Sequence, residues 1–219
     1  MRPRRFDLIA FDWDGTLFDS TALIVRCIQA ACVDVDAPAP TREQAAWVIG
    51  MGLREALAHA APGVVGAQLD RLVERYRHHY FANQHEVTLF EGTLPMLRAL
   101  HARHHWLAVA TGKSRRGLDA ALASTELHSL FDASRTADET AGKPNPQMLL
   151  ELMGAFGTPP ERCLMVGDTT HDLQMAVNAG CPAVAVAFGA HEPEAFGEFA
   201  PLFIAHTTPE LHQWLEAHA

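Results

Sequence analysis

The strongest constraint on this chain is an alternation in its apolar runs. Residues 6–11, 106–110, 163–166 and 183–187 are short, almost continuous apolar segments, the pattern of strands buried on both faces. Among them the spacing predicts helices over 94–103, 114–123, 146–156 and 170–179. Strand and helix in succession specify an α/β chain built on a parallel sheet. A final covering helix is expected over 210–217, with Thr208 as its N-cap and Pro209 at its first position.

One stretch has a different texture. From about Asp19 to Gln84 the chain is rich in Ala and Leu, amphipathic, and free of a convincing strand run, and Thr41 with Gln44 makes a capping-box pattern. It reads as a helical insert that the chain leaves between Asn83 and Glu91. The expected organisation is a core of residues 1–18 and 88–219 carrying a helical unit of residues 19–87. Pro- and Gly-containing segments at 37–40 and 158–160 read as connectors. No repeat or low-complexity tract stands out.

Composition narrows the function. With 219 residues, 48% of them hydrophobic, the chain can bury a real core. Seventeen Lys and Arg against 26 Asp and Glu give a net charge of -9, so no positive field exists to hold nucleic acid or an anionic membrane. The 13 His add little charge at neutral pH. Cys27, Cys32, Cys163 and Cys181 form no C-x-x-C pair and sit in apolar stretches, as buried thiols of a reducing, cytoplasmic compartment would. The basic start at 1–5 resembles that of a signal peptide, yet Asp7 and Asp12 interrupt the apolar run behind it. Apolar runs such as 181–188 are far below the roughly 20 residues of a spanning helix.

Four polar segments fall where strands are expected to end: Asp12-Trp13-Asp14-Gly15-Thr16, Thr111-Gly112-Lys113, Lys143-Pro144 and Gly167-Asp168-Thr169-Thr170-His171-Asp172. In an open parallel sheet those ends line one crevice. The carboxylates of Asp12, Asp14, Asp168 and Asp172 would repel one another there unless a cation sat among them. Mg²⁺, a hard ion that prefers oxygen, meets that need. Lys143 supplies a point charge for a phosphate, and the Thr111 hydroxyl with the N–H of Gly112 can donate to its oxygens. The set holds no Ser/His/Asp or Cys/His arrangement. It does hold a carboxylate nucleophile with a second carboxyl two residues on, which suits phosphoryl transfer through an aspartyl phosphate. Asp12 would attack phosphorus, and Asp14 would protonate the leaving oxygen and then activate water. Lys143, Thr111 and the metal would stabilise the equatorial oxygens.

In content and order, Asp12-x-Asp14-Gly15-Thr16, Thr111, Lys143-Pro144 and Gly167-Asp168-x-x-x-Asp172 resemble the four motifs of the haloacid dehalogenase superfamily, more narrowly its phosphoglycolate phosphatase-like members, over residues 6–188. The resemblance implies a Rossmann-like core with a mobile helical cap inserted after the first motif. It implies Mg²⁺ bound by the Asp12 carboxylate, the Asp14 backbone carbonyl and Asp168, with Asp172 supporting the metal or Lys143. It also implies that the cap segment 49–54 touches the substrate, which makes Gly50, Met51 and Arg54 specificity candidates, Arg54 as a partner for a substrate carboxylate. The activity it implies is Mg²⁺-dependent hydrolysis of a small phosphorylated metabolite, with 2-phosphoglycolate as leading substrate and pyrophosphate or a nucleotide monophosphate as others. Asp14 disfavours dehalogenation, and a sugar phosphomutase is the minority reading within the superfamily. From another class, a phospho-aspartate receiver or an idle phosphate-binding protein shares the residue types, but the nucleophile at the head of the chain and the helical insert argue against the first, and the intact Asp12, Asp14 and Lys143 against the second. Oligomeric state has no signature in the sequence.

The histidines at 78–79 and 101–105 have a spacing that allows metal binding, and they read instead as solvated helix faces. His171 reads as a surface residue at a helix start. Trp47, Met51 and Phe81 read as core of the helical unit.

Overall fold

The computed structural model describes residues 5–123 and 126–219; the basic residues at 1–4 lie outside them. In chain order, β1 (Leu8–Phe11) and a short β2 (Phe18–Asp19) lead into α1 (Thr21–Asp34), α2 (Arg42–Trp47), α3 (Leu53–Ala60) and α4 (Gly66–Asn83). The chain returns through β3 (Thr88–Leu89), then α5 (Thr93–Ala102), β4 (Trp106–Thr111), α6 (Arg115–Ala123), β5 (Ala133–Thr136) and α7 (Gln147–Phe156). It ends with β6 (Cys163–Gly167), α8 (Thr170–Ala179), β7 (Ala183–Val186), β8 (Ile204–Ala205) and α9 (Thr208–His218).

Among the described residues the main sheet has six strands in the order β5-β4-β1-β6-β7-β8, and every pairing in it is parallel. This is the Rossmann-like α/β arrangement. β1 is central because each of its residues is fully buried. Alternation splits its side chains between two layers: Ile9 and Phe11 pack with Leu107, Val109, Leu164 and Val166 on one face, while Leu8 and Ala10 pack with Ala108, Met165 and Leu149 on the other. The connection from β1 runs to β4 on one side, and the chain later returns as β6 on the other. Strand order therefore reverses at β1, and a crevice opens at the carboxyl ends of these three strands.

The helices α1–α4 enclose an apolar cluster of their own, with Ile28, Leu57 and Leu72 almost wholly shielded. The expected capping box starts α2: Thr41 Oγ1 accepts from Gln44 N at 3.2 Å, and Gln44 Oε1 accepts from Thr41 N at 2.9 Å.

Several expectations are corrected. β2 and β3 pair antiparallel where the chain leaves the sheet and returns to it, at the margins of a segment expected to be purely helical. β5, with the sequence ASRT, is a mostly half-buried edge strand, and a polar edge leaves no apolar run to read. The N-cap of α9 is Thr207, whose Oγ1 accepts from Glu210 N at 3.3 Å, so Thr208 is already helical. His105 is not on a solvated face: it is buried, and its Nδ1 donates to the Phe6 carbonyl at 2.9 Å. All four cysteines are buried and free.

Arg115 fastens α6 to β5. Its guanidinium donates to Glu139 at 2.6 Å and to Ser134 Oγ at 2.9 Å, while Thr136 Oγ1 donates to Glu139 at 2.9 Å. Hydrogen bonds from Arg115, then from Thr136, hold the Glu139 carboxyl down at about 2, against roughly 4.3 in an unfolded chain. A depressed carboxyl stabilises the fold fully above the unfolded value and loses that contribution as pH falls toward the folded one. Glu139→Gln should cost about 0.5–1 kcal/mol at pH 6, a figure already reduced for the partial exposure of the pair. The difference from wild type should vanish near pH 2, as read by chemical denaturation across that range.

Candidate active site

Asp12 is the first residue beyond β1, and its N–H donates to the Val166 carbonyl at 2.9 Å, which holds it at the β1–β6 junction. The turn that follows is closed by Gly15 N donating to Phe18 O at 2.8 Å and Leu17 N to Trp13 O at 3.0 Å. Gly15 has φ of +81°, and a Cβ there would lie 2.1 Å from Asp168 Oδ2, so both backbone and space require glycine. The same turn aims Thr16, whose Oγ1 donates to Asp168 Oδ1 at 2.8 Å. The other Asp168 oxygen accepts from Ala190 N at 2.7 Å. Asp172 stands in the first turn of α8, where its Oδ2 accepts from Thr169 N at 3.2 Å and Thr169 Oγ1 at 2.7 Å. Lys143 comes from the loop after β5. Its Nζ lies 2.6 Å from Asp12 Oδ1 and 2.6 Å from Asp172 Oδ1, with all three side chains fully buried.

Asp12, Asp168 and Asp172 thus bring one oxygen each within 4.8 Å of one another. Burial pushes the Asp12 carboxyl up to about 7, with Lys143 opposing and Asp172 reinforcing. Burial likewise holds Asp168 well above the ordinary carboxyl range, helped by the charges of Asp12 and Asp172 and opposed by the Ala190 N–H. Burial weakens the Lys143 ammonium, but Asp12 and Asp172 outweigh it, so Lys143 holds its proton more tightly than in water. Lys143 pairs with two of the three carboxylates, Asp168 is held by the neutral donors of Thr16 and Ala190, and Asp12 Oδ2 is buried without a hydrogen-bond partner among the described residues. That uncompensated oxygen and excess of negative charge fit a hard divalent cation. The oxygens of Asp172 are also engaged, by Lys143 and Thr169, and Asp14's carboxylate lies outside the cluster.

Asp14 faces the helical layer. Ser20 Oγ donates to its Oδ1 at 2.7 Å, and Lys113 Nζ lies 3.0 Å from its Oδ2. Lys113 also donates to Tyr80 Oη of α4 at 3.1 Å and sits 4.8 Å from the centre of that ring. Burial disfavours its charge, but Asp14 and Tyr80 reverse this and raise its proton affinity. Sequence reasoning gave Lys113 no role; its place two residues beyond a strand end was the available signal, whereas nothing local pointed to Tyr80. Thr111, the buried last residue of β4, accepts from Lys113 N at 3.2 Å through Oγ1.

The helical layer touches the core at backbone level. A Cβ on Gly112 would lie 2.4 Å from Met51 O and 2.5 Å from Gly50 O, and one on Gly50 would lie 3.2 Å from Thr169 Oγ1. Gly50 and Met51 are thereby at the crevice. Arg54 also lines the crevice, and its Nη1 donates to Asp70 at 2.5 Å in an exposed pair. His171 is buried rather than superficial, because its Nε2 donates to the Trp47 carbonyl at 2.8 Å. His191 Nε2 donates to the same carbonyl at 3.0 Å while its Nδ1 accepts from Thr170 N at 3.1 Å. Burial lowers the proton affinity of His191, in keeping with a ring nitrogen that must stay an acceptor. Trp47 and Phe81, expected as core of the helical unit, are about half exposed. A cavity of about 450 Å³ extends from Asp12 and Asp14 between the sheet edge and α1, α3 and α4.

The family model for haloacid dehalogenase-like hydrolases matches residues 9–186. A phosphoglycolate phosphatase from Aliivibrio fischeri is 33% identical over 203 residues, covering 89% of this chain and 89% of that protein. A probable phosphatase, IndB, from Dickeya dadantii is 32% identical over 211 residues, covering 93% and 91% respectively. Among solved structures, a predicted phosphoglycolate phosphatase from Haemophilus somnus superposes with a TM-score of 0.84 at 25% identity, over 95% of this chain and 97% of that one.

If the carboxylate cluster binds a divalent cation as its charge demands, Asp168→Ala should abolish Mg²⁺ binding in calorimetric titration. Thr16→Val, which removes only a hydrogen bond to Asp168, should weaken it by about 10–100-fold.

Proposed function

The chain belongs to the haloacid dehalogenase-like hydrolase family, and from that premise we propose that it is an Mg²⁺-dependent phosphatase of small phosphate monoesters that works through an aspartyl phosphate on Asp12. The observation that carries the reading is the unpartnered Oδ2 of the buried Asp12, a residue that lines the same cavity as Asp14. In the first half-reaction Asp12 attacks phosphorus, the bond from phosphorus to the ester oxygen breaks, and Asp14 delivers a proton to that leaving oxygen. In the second, Asp14 as carboxylate takes a proton from water, whose oxygen attacks phosphorus, freeing inorganic phosphate and Asp12. Lys143 and the donors at Thr111 and Gly112 hold the equatorial oxygens. Asp12, Asp168 and, by family resemblance, the Asp14 carbonyl would hold Mg²⁺, which supplies charge neutralisation between an anionic nucleophile and an anionic phosphate. Lys113 is a positioning residue that orients Asp14.

The unit at 19–87 acts in this reading as a lid that closes over bound substrate and excludes bulk solvent, leaving the one water that Asp14 activates. The contact of Gly50 and Met51 with Gly112 supports that role. The similarity to a protein named phosphoglycolate phosphatase makes 2-phosphoglycolate a candidate substrate. A cytoplasmic location is proposed from the four buried, free thiols; among the described residues, no helix is long and apolar enough to cross a membrane.

Wild-type protein should release phosphate from an aryl phosphate only with Mg²⁺ present, and chelator should stop it. Asp12→Asn should be inactive. Asp14→Asn should lose about 10²–10⁴-fold in kcat and retain one phosphoryl group visible by intact-mass spectrometry. Turnover in Asp12→Asn, or turnover undiminished by chelator, would refute the mechanism.

A further inference from the structure

The cavity beside Asp12 is far larger than a two-carbon acid needs. At about 450 Å³ it falls within the roughly 300–1,000 Å³ of pockets that enclose drug-sized ligands. Its walls are mainly apolar and come from separate elements: Ile24 and Ile28 from α1, Met51 from the α2–α3 loop, Leu57 from α3, and Tyr76 and Phe81 from α4. Tyr76 and Tyr80 lie ring against ring, with centroids 5.9 Å apart and planes 19° from parallel, a continuous aromatic surface leading away from Asp14.

A leaving group with its own carboxylate would need a cation in that space, because a buried charge without a partner is costly. The two buried ammonium groups nearby are committed: Lys143 is held by Asp12 and Asp172, and Lys113 by Asp14 and Tyr80. The remaining cations of the lining, Arg54 and Arg77, are exposed, with Arg54 in a pair with Asp70, and Glu55 and Asp138 add negative charge to it.

We propose that this phosphatase hydrolyses phosphate monoesters whose alcohol carries an apolar, ring-sized body, rather than those of a two-carbon acid. The inference rests on the phosphatase reading and deepens it: the phosphate sits at Asp12 and the apolar body lies against Tyr76 and the aliphatic wall of α1.

Benzyl phosphate, ethyl phosphate, 2-phosphoglycolate and pyrophosphate, compared by kcat/KM with Mg²⁺, test it; the first two release alcohols of similar intrinsic reactivity. Benzyl phosphate should exceed both ethyl phosphate and 2-phosphoglycolate by at least about 10-fold, the scale of a few methylenes in an apolar pocket. Tyr76→Ala should shrink the benzyl-to-ethyl ratio, a quantity internal to each preparation and so insensitive to a misfolded fraction. Equal or greater turnover of 2-phosphoglycolate or pyrophosphate overturns the inference and leaves the phosphatase reading intact. A ratio unchanged in Tyr76→Ala also overturns it. Failure to hydrolyse any of the four overturns both.

Discussion

The structure is organised around one ammonium. Lys143 is buried with its Nζ 2.6 Å from both Asp12 and Asp172, joining residues that are 131 positions apart in the case of Asp12. A charge in that position is tolerated only with partners, and removing one partner of a buried pair typically costs about 3–5 kcal/mol. The loop after β5, the turn after β1 and the start of α8 are therefore held in one arrangement. Thr16 and Gly15 add a second fastening between the β1 turn and Asp168. The carboxylates are held in place beforehand, as electrostatic catalysis requires.

Asp14 stands apart from this arrangement and belongs to a second one. It is fixed by Ser20 from the start of α1 and by Lys113, which reaches Tyr80 on α4. The proposed acid–base group is thus oriented by the helical layer as well as by the sheet. On the opposite side, the Trp47 carbonyl receives hydrogen bonds from both His171 and His191. The layer is tied to the core at two places, and one of those ties ends on the residue assigned to proton transfer.

Much of this was legible in the sequence because it follows from periodicity. Buried parallel strands give apolar runs, and runs that end in Asp, Thr or Gly-Asp place those residues at one crevice. Asp168 and Asp172 were readable for the same reason, one at a strand end and the other in the first turn of the next helix. What escaped depends on contacts between distant segments. β5 has no apolar run since its side chains lie at an edge. His105, His171 and His191 look like polar surface residues until a carbonyl from another element meets each ring. Arg54 lines the cavity from the insert, and its pairing with Asp70, one helix later, is a contact that local sequence does not show. Thr207 and Thr208 are both competent N-caps, and only the backbone distinguishes them.

The meeting of Gly112 with the carbonyls of Gly50 and Met51 is made by main-chain atoms on both sides. The depth to which the helical layer seats on the core is consequently gauged by peptide groups and by the absence of a side chain at Gly112. Side chains at Ile24, Ile28 or Tyr76 line the cavity without setting that gauge. Such a division separates the walls that shape the cavity from the contact that sets its depth.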